Sequence, residues 1–118
     1  MKAWHFVGKT LRDGSPIPHD GIPLVYKGNL VMCQKGYHAS LVPSDALKYA
    51  PGTTLCLVEV EGKILHEKDK LVSEKRTILQ RMDATEMLQY YARMQALSII
   101  HLWKPPDIVL DFLMTGDD

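Results

Sequence analysis

The sequence predicts an α+β domain in which a small bent or split, mainly antiparallel sheet packs against a C-terminal helix pair. Short runs rich in Val, Leu and aromatics, separated by Gly and Pro, fill the first two thirds of the chain, whereas an apolar stripe at helical spacing fills the last third. No repeat or low-complexity segment interrupts this order. With 118 residues, 46% of them hydrophobic and 24% charged, the chain has material for one core and not two. A single domain over residues 1–118 is therefore expected, strand-rich over 1–80 and helical over 83–115.

Residues 2–8 carry Trp4, Phe6 and Val7 in loose alternation, which fits a strand with one buried face and His5 opposite Trp4 and Phe6. Residues 12–23 hold Asp13-Gly14, Pro16, Pro18, Asp20-Gly21 and Pro23, a density of breakers that predicts an irregular loop. The runs 24–26 and 30–33 flank Lys27-Gly28-Asn29 and read as a hairpin. After a turn at Lys35-Gly36, Ser44 is the expected N-cap of a short helix stopped by Pro51-Gly52. Residues 53–60 are apolar on both faces and predict a central strand, and residues 63–65 continue as a further strand after a turn at Glu61-Gly62. Mixed charges over 66–76 predict a solvated connection, followed by a short strand over 77–79. Asp83-Ala84-Thr85-Glu86 is a capping box. The helix it opens reaches Trp103, with Leu88, Tyr91, Ala92 and Ala96 on a face expected to be core. Pro105-Pro106 ends it, and a shorter helix is expected over 107–114.

Charge and composition exclude several function classes. Lys and Arg total 14, as do Asp and Glu, so the net charge is zero and no global field draws nucleic acid or an anionic bilayer. No apolar run is long enough for a secretory signal or a membrane span, so a cytoplasmic protein is expected. Two cysteines, Cys33 and Cys56, make no disulfide framework and read as core thiols. Neither they nor the five histidines show the paired short spacings of a zinc site, so no metal is expected. Rossmann and Walker glycine patterns do not occur. The basic residues between Lys63 and Arg81 alternate with Glu61, Glu67, Asp69 and Glu74, which reads as a solvated face. Cys33 close to His38 is the one arrangement that resembles a thiol with a nearby base, although nothing in the local sequence activates it.

The remaining cluster is Gly36-Tyr37-His38-Ala39-Ser40 with Tyr49 on the following helix, and His5 as a partner. Each residue alone is explained by packing or turn formation. Together, a glycine before a histidine, a polar residue after it and a nearby aromatic can wall a shallow site for a planar ring.

Two resemblances start from these residues. The segments Cys33-Gln34-Lys35-Gly36-Tyr37-His38-Ala39-Ser40, Asp45-Ala46-Leu47-Lys48-Tyr49-Ala50-Pro51-Gly52, Val58-Glu59-Val60-Glu61-Gly62, Asp69-Lys70-Leu71-Val72, Arg76 and Leu102-Trp103 resemble a family of uncharacterised small bacteriophage and prophage proteins. This implies action in the bacterial host cytoplasm. Relatives continue beyond the equivalent of residues 115–118 into an alanine-rich tail. More distantly, Gly36 to Tyr49 is similar to the segment of the poly-ADP-ribose-polymerase-like ADP-ribosyltransferases that runs glycine, isoleucine, tyrosine and then a short helix ending in the tyrosine that stacks on nicotinamide. His38 stands at the first tyrosine and Tyr49 at the stacking one. Trp4-His5 resembles that family's ribose-binding histidine, and Glu59 to Ile64 its next strand. No glycine-serine follows His5, Ala46 replaces the carboxamide-binding serine, and Glu74 is the positional counterpart of the catalytic glutamate.

The resemblance thus implies an ADP-ribosyltransferase-like fold and a phage accessory protein that binds or modifies an NAD or ADP-ribose ligand, whether or not it retains transferase activity. His5 would contact a ribose, and the backbone around Gly36 and Tyr37 a carboxamide. His38, Ser40 and Tyr49 would line the ring, with Glu74 and His38 as candidate catalytic groups. The alternative is a non-catalytic protein that binds a host or anti-phage defence protein, with the same motif as a rigid turn.

Overall fold

A computed structural model describes residues 1–98, 114 and 115. The order of elements is β1 (Lys2–Val7), β2 (Pro23–Val25), β3 (Tyr37–Ala39), α1 (Pro43–Leu47), β4 (Thr54–His66), β5 (Leu71–Asp83) and α2 (Thr85–Ser98). The chain divides into two compact units, Met1–Asp83 and Ala84–Asp118. It is a small α+β protein with an antiparallel sheet, as its sequence predicts.

The first unit is built on one long hairpin. β4 and β5 pair from Thr54↔Asp83 to His66↔Leu71, and a tight turn in which Glu67 N–H donates to Lys70 C=O joins them. β1 lies along the first half of β4, from Lys2↔Glu59 to Val7↔Thr54. The other edge of β5 takes β3 at Leu71–Ser73 and β2 at Lys75–Thr77, end to end. Ser40, directly after β3, then exchanges both backbone hydrogen bonds with Trp4, at 2.7 and 2.8 Å. Pairing therefore runs β1–β4–β5–β3 and back to β1. Within this circuit lies the core of Ala3, Val7, Ala39, Cys56, Val58, Val60, Leu71 and Ile78, with Ile17 and Ile64 packed on it.

The hairpin can bend because β4 carries a bulge between Glu61 and Ile64, where two residues face one on β5. Gly62 sits there at φ +77, the left-handed region that glycine enters without steric cost. The predicted turn at Glu61-Gly62 is thus an irregularity inside one strand. Two further expectations are corrected. Residues 24–33 do not form a hairpin, since β2 pairs with β5. Residues 71–76 are strand, not a solvated connection, because Leu71, Val72, Ser73 and Arg76 are buried and carry the pattern between charged neighbours.

β1 buries Ala3 and Val7 in the core, and His5 lies between them on that same inner face, opposite Trp4 and Phe6 as expected. In α1 the N-cap is Val42 rather than Ser44, with a proline in the first turn. In the second unit α2 begins at Thr85, since Asp83 ends β5 opposite Thr54. Its described residues include no buried side chain, so it is not the core element that its apolar pattern predicts. The circuit of strands buries its own inner face. The expected continuation to Trp103 and the helix over 107–114 lie outside the described residues, Met114 excepted.

Candidate functional site

The least ordinary side chain in the first unit is Arg76 of β5. It is 5% exposed, one Nη donates to His38 C=O, and its guanidinium lies 5.3 Å from the centre of the Tyr37 ring. Burial lowers its pKa to about 10, opposed only by the Cys56 thiol and the Tyr37 phenol. Among the described residues no carboxylate pairs with it. Burying a cation without a counter-charge is costly.

Two histidines share its neighbourhood. His5, half-buried, has its pKa lowered well below the usual value by desolvation first, then by the charges of Arg76 and His38. His38, half-buried, is also lowered, by burial and then by Arg12, Arg76 and Lys70. Its Nε2 accepts the Cys33 N–H at 2.8 Å. A backbone amide can only donate, so His38 is neutral with its proton on Nδ1. Three cations thus surround an uncharged imidazole in a chain of zero net charge.

The turn before β3 is held hard. Cys33 adopts φ +68, a left-handed conformation that costs a side-chain-bearing residue about 1–2 kcal/mol. Its N–H goes to His38, and its C=O accepts from Arg12 at 2.6 Å. The thiol is exposed, correcting the expectation of a core cysteine, whereas Cys56 is buried as expected. Lys70 Nζ lies 2.6 Å from Cys33 Sγ, 4.8 Å from the centre of the Tyr49 ring and 3.9 Å from Glu67. Tyr49 OH donates to Asp69 at 2.8 Å, and Lys48 reaches both Asp45 and Asp69. Asp69 is held below its ordinary pKa by the Tyr49 hydrogen bond first and by Lys48 next, while the same bond raises the Tyr49 phenol. A small depression beside this group is lined by Leu41, Asp45 and residues 66–70.

Of the residues singled out in the sequence, the structure brings His5 and His38 together around Arg76 and links Tyr49 to His38 through Lys70 and Cys33. Tyr37 supplies its ring to Arg76, and Ser40 supplies the backbone pair with Trp4. Gly36, at φ +110, has a packing reason to be glycine: a Cβ there would meet Val72 Cγ2 at 2.6 Å and Leu30 Cδ2 at 2.7 Å. Glu74 is not brought to this group; its Oε1 accepts the Lys63 N–H at 2.6 Å and closes the β4 bulge. Sequence reasoning missed Arg76, Lys70 and Arg12 as site residues, because charge alternation conceals which basic side chain turns inward. The only sequence signal for Arg76 is its place two residues before the apolar Ile78 of the same strand, a period-2 position on the inner face.

Among the described residues no group of three His, Cys, Asp or Glu side chains is placed to hold a metal ion, and no helix is long and apolar enough to cross a membrane. No curated protein and no solved structure matches the chain. A family model described as a domain of unknown function, DUF7666, matches residues 1–90, all of the strand unit with Arg76 and the start of α2. The chain belongs to that DUF7666 family.

Proposed function

We propose that this protein is a binding module for an anionic, phosphate-bearing ligand of the NAD or ADP-ribose type. The observation that carries the reading is Arg76, a guanidinium 5% exposed with no carboxylate paired to it among the described residues. A buried cation lowers stability, and departures from that rule concentrate where function requires them. The planar fork of a guanidinium suits phosphate and carboxylate oxygens two at a time, and its hydrogen bond to His38 C=O leaves donors over. Arg12 and Lys70 extend the positive field. Tyr37 and Tyr49 supply aromatic surface at the two ends of the group.

An ADP-ribosyltransferase-like pocket and a phage accessory role belong to the same proposal. Support for the pocket comes from the order His5, Gly36 to His38 and Tyr49 along the chain, and from the nearness of His5 to His38. Ala46 in place of the carboxamide-binding serine, and the use of Glu74 in closing the bulge, favour binding over transfer. A general acid has to reach the reacting atoms, and Glu74 is committed to the Lys63 amide.

Thermal unfolding with ADP-ribose, NAD and nicotinamide tests this. A ligand at one hundred times its Kd stabilises the folded state by about 2.7 kcal/mol, which raises Tm by several degrees in a domain of this size. ADP-ribose and NAD are expected to raise Tm in the wild type and not in Arg76→Met, and nicotinamide, which carries no anion, in neither. An unmoved wild-type Tm with both nucleotides, or an undiminished rise in Arg76→Met, overturns the reading.

A further inference from the structure

We propose that Cys33 and Lys70 form an oxidisable pair which peroxide closes into a covalent sulfur–oxygen–nitrogen bridge. Lys70 Nζ lies 2.6 Å from Cys33 Sγ. Hydrogen bonds from nitrogen to oxygen span about 2.7–3.2 Å, and sulfur is the larger atom, so the two atoms stand closer than a hydrogen bond sets them. The separation is the one that a single bridging oxygen, with two bonds at a bent angle, spans.

Both partners are held in place. Cys33 is fixed through its backbone on two sides, by His38 Nε2 at 2.8 Å and Arg12 at 2.6 Å. The Lys70 side chain, 15% exposed, is confined by the Tyr49 ring and Glu67. The Cys33 thiol is exposed, so peroxide reaches it. Cys56 provides the contrast within the same molecule: it is buried, its thiol is pushed up by that burial, and the charges that act on it are those of Arg81, Arg76 and Asp20.

The chemistry balances in two steps. In the first, hydrogen peroxide transfers one oxygen to Cys33, converting S–H to S–OH and releasing one water. Lys70 then gives its third proton to solvent, and a second peroxide takes two electrons as the O–N bond forms. The S–OH hydrogen and one amine hydrogen leave, and the second peroxide departs as two waters. In total one S–H and one N–H bond are lost, S–O and O–N bonds are gained, and both peroxides are reduced. The bridged nitrogen no longer carries the ammonium charge, which takes one of the three cations away from His38. Any effect on ligand affinity rests on the function proposed above; the bridge itself does not.

The test is peptide mapping of the ligand-free protein after brief treatment with dilute hydrogen peroxide. The reading is taken on the peptides, because the six methionines also gain oxygen. The expected result is a linked pair containing Cys33 and Lys70, about 14 Da heavier than the two peptides together, from one oxygen gained and two hydrogens lost. The link should disappear with dithiothreitol and be absent from Lys70→Arg and Cys33→Ser, with Cys56 unmodified throughout. Wild-type Cys33 recovered unchanged, only as sulfinic or sulfonic acid, or joined directly to nitrogen in a pair about 2 Da lighter, overturns the proposal.

Discussion

Arg76 sets the terms for the side chains around it. Its charge reaches both His5 and His38, and together with burial it keeps them neutral. Replacing it by methionine, a similar volume without charge, removes an uncompensated buried cation. Stability in urea is expected to stay level or rise, by about 1–4 kcal/mol where buried charges have been exchanged for apolar groups. His5 gives the molecule a pH response. Its folded pKa lies well below its unfolded value near 6.5, so the unfolded chain binds the proton first as pH falls. Stability is fully present above that value and is lost below it, with a slope of up to about 1.4 kcal/mol per pH unit from this one group. Urea unfolding between pH 7.5 and roughly 5 should show the loss, and His5→Leu should flatten the slope while His38 retains part of it. These inward basic and titratable residues were the least legible in the sequence. Arg76 sits between Lys75 and Thr77 in a charge-rich segment, where its period-2 spacing to Ile78 is the one sequence hint, and the pairing of Val60 with Arg76 across the hairpin shows which way it turns.

β4 and β5 carry most of the architecture, and two glycines show how. At Gly36 an added methyl meets packed side chains at 2.6 and 2.7 Å as well as an unfavourable φ of +110. Gly36→Ala is expected to cost about 2–4 kcal/mol in urea unfolding, overpacking and backbone strain combined. At Gly62 an added methyl meets Glu74 Oε1 at 2.9 Å and Cβ at 3.1 Å at a φ of +77, and Glu74 can withdraw only by giving up the Lys63 amide, so Gly62→Ala should cost about 2–3 kcal/mol, backbone conformation and the lost hydrogen bond combined. Glu74→Ala leaves the Lys63 amide without its acceptor. A loss of about 1–2 kcal/mol is expected there, with the ligand-induced Tm rise unchanged. The apolar run of β4 is readable because both its faces are buried. β5 was not, since its charged residues resemble a solvated connection until a partner strand lies on each edge. Leu24–Tyr26 and Leu30–Cys33 mislead for a related reason: the glycine-containing turn between them is a local signal, whereas the partner of β2 lies about fifty residues further on.

The first unit closes on itself. The pairing of Trp4 with Ser40 completes a circuit whose inside is the hydrophobic core, and the same circuit brings His5, His38 and Arg76 from three strands to one place. The α+β class was legible from composition and order alone. Closure was not, because it depends on two backbone hydrogen bonds between residues 36 positions apart, for which no side-chain pattern codes. The proposed function turns on the Arg76 guanidinium, buried beside this core with no carboxylate paired to it among the described residues. Calorimetric titration of the whole protein with ADP-ribose, wild type beside Arg76→Met, tests that directly. Saturable heat in the wild type, weakened at least tenfold by the substitution, about 1.4 kcal/mol, is the predicted result. Equal binding by the two proteins, or none by the wild type, would contradict it.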